Sequence, residues 1–414
     1  MAVPRFKIGM SIPELLAWFG KLTETGKSSE VEEFERLIAA KVQRKFAISF
    51  PSGRIALYAL LKALSKESDK REIVIPAFTV PEVITMIRAA GWKPIFADAH
   101  EKLYNVQPFE VEDKISSDTG AVLMTHLFGQ PCDAFAFDEL ARKRGLILLE
   151  DAAQALGSHC DEKPVGSFGK ASLLSFGLVK NLTTLGGGMI VCDDERLADE
   201  LHRFRSGFAD TKFTSLAKRL SLAAAVNIAT SWPVFPLATY PTLRLLDISG
   251  SDLADRMFDE KPDELSLKDI PESMLKKFSP VQAAWGKLQL DKLEDKNKRR
   301  RENAFYLRAL LVGTTGLGLP QFQQECVGIH LNFAVRHAQA DQLVKLLRRY
   351  GVDTTKGYLA NCADSRYFPE YKSDCPIAAK LERELLYLPI YPSLNERDME
   401  CVAKAVKKAC DELA

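Results

Sequence analysis

Residues 146–192, LILLEDAAQALGSHCDEKPVGSFGKASLLSFGLVKNLTTLGGGMIVC, decide the fold of this chain. Three short apolar runs in this stretch, Leu146–Leu149, Ser172–Phe176 and Met189–Cys192, have the length of buried strands. From about residue 30 onward, similar runs alternate with amphipathic stretches, and they comprise Ile73–Ile75, Ile95–Ala97 and Ala121–Met124. This alternation predicts an α/β fold with a mostly parallel sheet and crossover helices.

Acidic and amide side chains follow the first of these runs. The predicted strand that ends at Leu149 is followed directly by Glu150 and Asp151, and Gln154 comes three residues later. Parallel sheets bind ligands at the carboxyl ends of their strands. A buried carboxylate needs a cationic partner, and a protonated pyridine nitrogen would supply one. A carboxylate that caps the following helix fits the local sequence equally well.

A lysine stands between the second run and a triple glycine. Most lysines are solvated surface charges, but in this context Lys180 could lose its proton by desolvation and form an imine with an aldehyde cofactor. Ser175 and the backbone of Gly186–Gly188 could serve phosphate oxygens.

A second turn with suitable chemistry lies nearer the start of the chain. The run Phe46–Phe50 leads through Pro51, Ser52, Gly53 and Arg54 into a helical stretch. A turn of small residues that opens a helix presents free backbone N–H groups to an anion, and Arg54 could add charge. An ordinary connection between a strand and a helix is the alternative.

Taken in order, these segments resemble the DegT/DnrJ/EryC1/StrS family, pyridoxal-phosphate aminotransferases of fold type I that act on nucleotide-linked sugars. Further matching segments are IVIPAFTV (73–80), AAGWKPIFAD (89–98), TGAVLMTHLFGQPCD (119–133), VQAAWGKLQLDKL (281–293) and LPIYPSLNERDMECV (388–402). The resemblance covers most of the chain except about 209–265. We expect a large cofactor domain (1–266), connecting helices (267–311) and a small C-terminal α/β domain (312–414).

The resemblance implies a cofactor and assigns residues to it. Pyridoxal 5′-phosphate would be bound by Ser52, Gly53, Arg54, Val80, His126, Asp151, Gln154, Ser175 and Lys180. Lys180 would hold the cofactor and move the proton, and Asp151 would pair with the pyridine nitrogen. Gln154 would lie beside the phenolic oxygen. His126 would lie in the ring pocket, although a packed core histidine is the alternative.

The chain departs from the family in the predicted pocket. Val80 stands where the family has a ring-stacking aromatic residue, and Gly177 and Leu185 also differ from its motifs. Met274–Phe278 replaces the segment that reaches into the partner subunit's site, where Lys276 or Lys277 could substitute. Lys356 and Tyr358 stand where the family tends to have a histidine-tyrosine pair, and they are candidate substrate contacts.

The resemblance implies a homodimer that transfers an amino group, with glutamate as the expected donor, to a keto group of a nucleotide-linked sugar. Lys180 argues against the dehydratase branch of the family, which has histidine there. Two alternatives remain open: another pyridoxal-phosphate reaction, for instance on a lipid-linked substrate, and a non-catalytic protein of the same fold.

Composition adds bounds on partners and location. Lys and Arg total 56 against 55 for Asp and Glu, so no net charge favours nucleic acid. Eight cysteines form no CxxC pair or cluster with histidine, which predicts reduced thiols, no metal site and a cytoplasmic protein. The N-terminus lacks the pattern of a cleaved secretion signal.

Residues 220–238 contain no charged side chain, but Pro233 and Pro236 argue against a straight transmembrane helix. The segment is flanked by the basic residues Lys212, Lys218, Arg219 and Arg244. This pattern indicates contact with an acyl or prenyl chain, or peripheral attachment at the inner face of the membrane. An enlarged dimer interface and a buried hairpin are the alternatives.

Overall fold

A seven-stranded sheet forms the centre of the computed structural model, which describes residues 2–8, 10–23, 28–248, 269–364 and 366–414. The strands are β1 (Phe46–Phe50), β2 (Glu72–Pro76), β3 (Phe78–Thr79), β4 (Lys93–Ala97), β5 (Thr119–Thr125), β6 (Ile147–Asp151), β7 (His159–Cys160), β8 (Lys163–Pro164), β9 (Ala171–Ser175), β10 (Gly188–Cys192), β11 (Cys326–Val327), β12 (Phe333–Arg336), β13 (Ala360–Asn361) and β14 (Leu385–Leu388). The large sheet has the order β1-β10-β9-β6-β5-β2-β4, and only β10 runs against its other strands.

Helices cover both faces of this sheet. They are α1 (Ile12–Thr23), α2 (Ser28–Lys41), α3 (Gly53–Leu64), α4 (Pro81–Ala89), α5 (Pro108–Glu112), α6 (Ala134–Arg144), α7 (Glu195–Ser206), α8 (Phe213–Ala229), α9 (Tyr240–Ile248), α10 (Pro280–Leu290), α11 (Leu293–Leu311), α12 (Ala340–Arg349), α13 (Pro376–Glu384) and α14 (Glu396–Leu413). Short 3-10 or π turns occur at Leu127–Gly129, Phe235–Thr239, Glu272–Met274 and Pro369–Tyr371.

The central strands of the large sheet are largely apolar because they are buried on two sides. In β2, Ile73 and Ile75 pack in the core beneath α3 and α4, whereas Val74 packs with α6 on the opposite face. Successive side chains of a strand alternate between faces, so a doubly covered strand must be apolar at every position. The apolar runs of the sequence therefore coincide with the strands, and the prediction of a mostly parallel sheet is confirmed.

A smaller unit forms around the antiparallel pair β12 and β14, which packs with α11, α12 and α14. The N-terminal segment joins this unit. Val3 pairs with Val352, and the Arg5 guanidinium lies 2.7 Å from the Asp353 carboxylate in a nearly buried ion pair. Strand β13 pairs with β3, which brings the smaller unit to the edge of the large sheet.

One detail of the sequence analysis is wrong. Cys160 and Cys326 are joined by a disulfide, because β7 and β11 pair side by side and bring the two residues together. The prediction of reduced thiols is therefore wrong for Cys160 and Cys326.

The charge-free segment comprises the last part of helix α8, a cis bond between Trp232 and Pro233 and most of a π turn, and it is followed by helix α9. Trp232 is 78% exposed and Leu237 is 76% exposed, which rules out a buried hairpin within the chain. No helix in the described ranges is long and apolar enough to cross a membrane. The last part of the predicted insertion, 249–265, lies outside the described residues.

Candidate active site

A cavity of about 280 Å³ opens at the carboxyl ends of β5, β6 and β9. Its lining includes Ser52, Gly53, Arg54, Thr79, Val80, Thr125, Asp151, Gln154, Ser175, Gly177, Lys180, Gly186 and Gly187, together with apolar side chains. Residues from distant parts of the sequence meet here because neighbouring parallel strands end at the same edge of the sheet. Among the predicted cofactor ligands, His126 is not part of this lining.

The turn before α3 forms one wall of the cavity. The Ser52 hydroxyl caps the helix by accepting a hydrogen bond from the Ile55 N–H at 3.3 Å. A Cβ placed on Gly53 would lie 3.3 Å from the Ser175 Cβ, and one on Gly188 would lie 2.4 Å from the Gly53 nitrogen. Three stretches of backbone thus approach closely, and the helix N-terminus faces a hydroxyl-bearing strand end, as in protein sites for phosphate.

Arg54 also lines the cavity, but its charge is shared. Its Nη1 atom lies 3.5 Å from the Glu82 carboxylate, which belongs to the first turn of α4. The side chain is about one third exposed, so this pair contributes little to stability. Of the predicted ligands in this turn, Gly53 offers a backbone N–H and Arg54 adds a partly neutralised cation.

Asp151 is a nearly buried carboxylate at the end of β6. Burial raises the pKa of Asp151, whereas the hydrogen bond from the Ala153 N–H at 3.0 Å and the charge of Lys180 act to lower it. Such a carboxylate is stabilised in its charged form by a cation placed in the cavity. A protonated pyridine nitrogen has the required charge and can donate a hydrogen bond.

Gln154 presents a donor to the same cavity. Its Oε1 atom accepts a hydrogen bond from the Phe128 N–H at 2.8 Å, so its amide NH₂ is the group left for a ligand. Phe128 has a left-handed backbone (φ 61°), and this hydrogen bond supports that conformation. An NH₂ donor suits a phenolic oxygen, which agrees with the role that the sequence suggested.

Lys180 lies on the loop after β9, where its N–H donates to the Gly177 carbonyl at 3.1 Å. Its Nζ atom lies 5.9 Å from the centre of the Tyr358 ring, which the pairing of β13 with β3 brings near Lys180. The Tyr358 hydroxyl is buried without a hydrogen-bond partner among the described residues, and Tyr358 is not part of the cavity lining.

His126 is a core histidine in this structure. Its ring is fully buried, its Nδ1 atom accepts from the Cys132 N–H at 2.9 Å, and its Nε2 atom lies 2.9 Å from the Glu150 carboxylate. A backbone N–H can only donate, so Nε2 carries the proton towards Glu150. The sequence placed His126 in the ring pocket; in the structure, its neighbours Thr125 and Leu127 line the cavity instead.

Other predicted residues lie away from the cavity lining. Lys356 is in an ion pair with Asp341 at 3.1 Å, and Lys277 is in one with Asp210 at 3.2 Å. Phe278 is buried against Gly187, so the segment that replaces the partner-reaching one packs within its own chain.

Sequence reasoning missed Thr79 and Thr125. Both line the cavity, and the Thr125 Oγ1 atom is buried without a hydrogen-bond partner in the described part of the chain. Thr125 ends a strand, so its position could have revealed it. Thr79 ends the two-residue strand β3, which is too short to be recognised as an apolar run in the sequence.

Comparison with known proteins shows the family to which this chain belongs. The sequence profile of the DegT/DnrJ/EryC1/StrS aminotransferase family matches residues 17–227 and 253–407. The chain belongs to this family. The unmatched interval, 228–252, contains the exposed Trp232 and Leu237, so the apolar surface is a feature of this chain beyond the family pattern.

Individual relatives match over nearly their whole length. The spore coat polysaccharide biosynthesis protein SpsC of Bacillus subtilis (strain 168) is 28% identical over 393 residues, which are 92% of this chain and 90% of SpsC. The dTDP-3-amino-3,6-dideoxy-alpha-D-galactopyranose transaminase of Aneurinibacillus thermoaerophilus is 28% identical over 382 residues, again 92% and 90% of the two chains. The chain is therefore an aminotransferase.

The fold also agrees with a solved structure. DesV of S. venezuelae, determined in complex with a ketimine intermediate, superposes with a TM-score of 0.76 at 25% identity and covers 99% of each chain. The protein thus has the fold of the pyridoxal-phosphate sugar aminotransferases, as the resemblance implied. Aminotransferases of this family depend on pyridoxal phosphate.

Proposed function

We propose that this protein transfers an amino group from an amino acid, with glutamate as the expected donor, to a keto group of a nucleotide-linked sugar, and that it binds pyridoxal 5′-phosphate for this purpose. The observation that carries the proposal is the joint position of Asp151, Gln154, Ser175 and Lys180 around one cavity. The names of the relatives, among them a dTDP-sugar transaminase, support the class of acceptor.

The cavity residues fit this cofactor. The N-terminus of α3, with the Gly53 N–H and the Ser175 hydroxyl, would bind the phosphate, and Asp151 would keep the pyridine nitrogen protonated. The Gln154 NH₂ would donate to the phenolic oxygen. Val80 and Ala153 would pack on the ring, with less contact area at Val80 than an aromatic side chain offers.

Bound there, the cofactor supplies an aldehyde that condenses with amines and a ring that withdraws electrons from the adjacent carbon. The Lys180 amine would take up the proton released from the donor's Cα and hold it within the cavity. The Thr125 hydroxyl, which belongs to a residue of the cavity lining and lacks a partner among the described residues, would orient the substrate.

The first experiment compares the visible absorption spectra of wild type and Lys180→Ala, before and after adding glutamate. We expect a cofactor band that disappears in the variant and that glutamate converts to the amine form of the cofactor. A band that no amino acid shifts would favour a different pyridoxal-phosphate reaction. The absence of any band with added cofactor would refute the proposal.

We further propose that the exposed apolar surface around Trp232 and Leu237 contacts an acyl or prenyl chain, as on a lipid-linked substrate or a membrane surface. The exposure of both side chains supports this. The basic flank contributes less than the sequence suggested, because the Arg219 side chain turns inward and donates to the Leu185 carbonyl at 3.4 Å.

This contact can be tested by sedimentation with vesicles of phosphatidylglycerol or phosphatidylcholine. We expect binding by wild type, loss of binding by the double variant Trp232→Ser/Leu237→Ser, and retention by Phe109→Ser, which removes a similarly exposed ring from a distant helix. If wild type stays in the supernatant while the double variant dissociates into monomers, the surface is a subunit interface. We also propose a cytoplasmic location and a homodimeric assembly with shared sites.

A further inference from the structure

A second cavity, of about 260 Å³, lies beside the loop that carries Lys180. It is formed by the N-terminal segment, that loop, helix α11 and the stretch before α14. The charged side chains in its lining are Lys7, Lys180, Lys296 and Arg300, and no aspartate or glutamate of the described residues lines it. Lys180 lines both this cavity and the cofactor cavity, so the two adjoin.

Arg300 is the most unusual of these cations. Its side chain is 8% exposed, and its Nη1 atom is buried without a hydrogen-bond partner. No hydrogen bond or ion pair links its guanidinium to any residue in the described ranges. Burial lowers the pKa of Arg300 to about 10. A buried cation without a partner is costly and rare in folded proteins, and a bound ligand is one physical reason for it.

The neighbouring charges increase the demand for an anion. Lys296 lies one turn before Arg300 on α11, and burial lowers the pKa of its ammonium group as well. The carboxylate that influences the pKa of Lys296 is Glu14, which lies outside the lining. Glu14 is already held by Lys292 at 2.9 Å and by the Ser11 hydroxyl at 2.8 Å. Lys296 and Arg300 therefore have no ion-pair partner among the described residues.

We propose that this cavity binds an oxyanion, a carboxylate or phosphate group of a small ligand, with Arg300 as its main contact and Lys296 and Lys7 beside it. A guanidinium fork can hold either group with two parallel hydrogen bonds. Because the cavity adjoins the cofactor cavity at Lys180, the anion belongs to a substrate. It is either the carboxylate of the amino donor or the diphosphate of the nucleotide-linked acceptor. This last assignment rests on the proposed aminotransfer; the anion site does not.

The test measures anion binding to the cofactor-loaded protein by calorimetry and thermal unfolding. The probes are glutarate, a dicarboxylate without an amino group, and pyrophosphate, with potassium chloride at equal ionic strength as the control. We expect one of the two probes to raise the unfolding midpoint. A response to glutarate identifies the donor's carboxylate as the ligand, and a response to pyrophosphate identifies the acceptor's diphosphate.

Arg300→Met is the decisive variant, and Lys298→Met is its control, since Lys298 is an exposed cation on the same helix. Arg300→Met should weaken binding of the responding probe at least about tenfold, which corresponds to the loss of one charge-assisted hydrogen bond. Lys298→Met should bind as wild type does. Without ligand, Arg300→Met should be at least as stable as wild type, because it removes an uncompensated buried charge.

Lys296→Met provides a second variant should Arg300→Met fail to fold, and we expect weaker binding there too. The proposal is overturned if neither probe binds wild type more tightly than chloride, or if the binding survives in both variants. These results are independent of the absorption band that depends on Lys180. Anion binding by protein whose band glutamate does not convert would refute the aminotransfer and retain the site, and conversion without anion binding would refute only the site.

Discussion

Two adjacent carboxylates at the end of β6 have opposite environments. Burial alone would raise the pKa of Glu150, but hydrogen bonds from His126, Ser172 and the Gly166 N–H hold it below its ordinary value. Burial raises the pKa of Asp151. Its carboxylate accepts a hydrogen bond from the Ala153 N–H and lacks the side-chain donors that surround Glu150. Glu150 is therefore satisfied within the fold, whereas a cation of the proposed cofactor would stabilise the charged form of Asp151.

Asp151→Asn should separate stability from function. A raised carboxyl pKa contributes stability below the pKa of an unfolded aspartate, about 4, and this contribution is lost as pH rises through the folded-state value. In cofactor-free protein at pH 8, the variant should therefore unfold at a higher temperature than wild type, and the difference should shrink at lower pH. Aminotransfer should fall about 10²–10³-fold. A lower midpoint at pH 8 would contradict this account.

Glu150→Gln should destabilise the protein whether or not the cofactor is bound. Glu150 accepts hydrogen bonds from the Gly166 and Phe168 N–H groups, and an amide NH₂ in its place leaves one of these buried donors without an acceptor, at a cost of about 1–3 kcal/mol. The lowered pKa of Glu150 stabilises the folded protein above about pH 4.3, which is the pKa of an unfolded glutamate. This contribution is lost as pH falls through the lower pKa of the folded state. Urea unfolding measures both effects. Glu139→Gln, at an exposed position, is the control and should match wild type.

At the scale of elements, the loop between β9 and β10 determines the site. Leu185, Gly186 and Gly187 all have positive φ, and the Phe176 N–H donates to the Gly187 carbonyl at 2.9 Å. This conformation returns the chain beside Ser52 while leaving Lys180 at the cavity. The glycines are required at this place by backbone conformation and by the close approach of Phe278.

Gly187→Ala should distort this loop. The new Cβ would lie 2.6 Å from the Phe278 ring at a φ of 120°, where side chains are strained whatever the space. We expect a stability loss larger than the roughly 1–2 kcal/mol of left-handed strain alone, together with weaker cofactor binding. Gly313→Ala is the matched control, because it also has a positive φ but no atom within 4 Å of its Cβ. Equal losses in the two variants, measured by thermal unfolding, would contradict the role of Phe278.

For the whole molecule, we predict a homodimer in solution. The family resemblance implies that sites are shared between subunits, and in this chain the segment that would reach the partner packs against Gly187 of its own subunit through Phe278. Sedimentation equilibrium of cofactor-loaded protein should give twice the mass of one chain at every protein concentration of a dilution series. A monomer that keeps full cofactor binding would show that each site is complete within one chain.

The sequence by itself determined the fold class, the strands and the residues at their carboxyl ends. These features are local or periodic: doubly buried strands are apolar at every position, and strand ends recur at one edge of a parallel sheet. Asp151, Gln154, Ser175 and Lys180 were found in this way, and all of them line the cavity.

Only the tertiary structure decided which side chains face the cavity and which are satisfied elsewhere. His126 and Thr125 are neighbours in the sequence, but the hydrogen bonds from Cys132 and to Glu150 hold His126 in the core. Tyr358 reaches Lys180 through the pairing of β13 with β3, and Lys356 is held by Asp341. Arg300 lacks a partner because of contacts among segments far apart in the chain. Such pairings depend on three-dimensional packing, and no local pattern of residues encodes them.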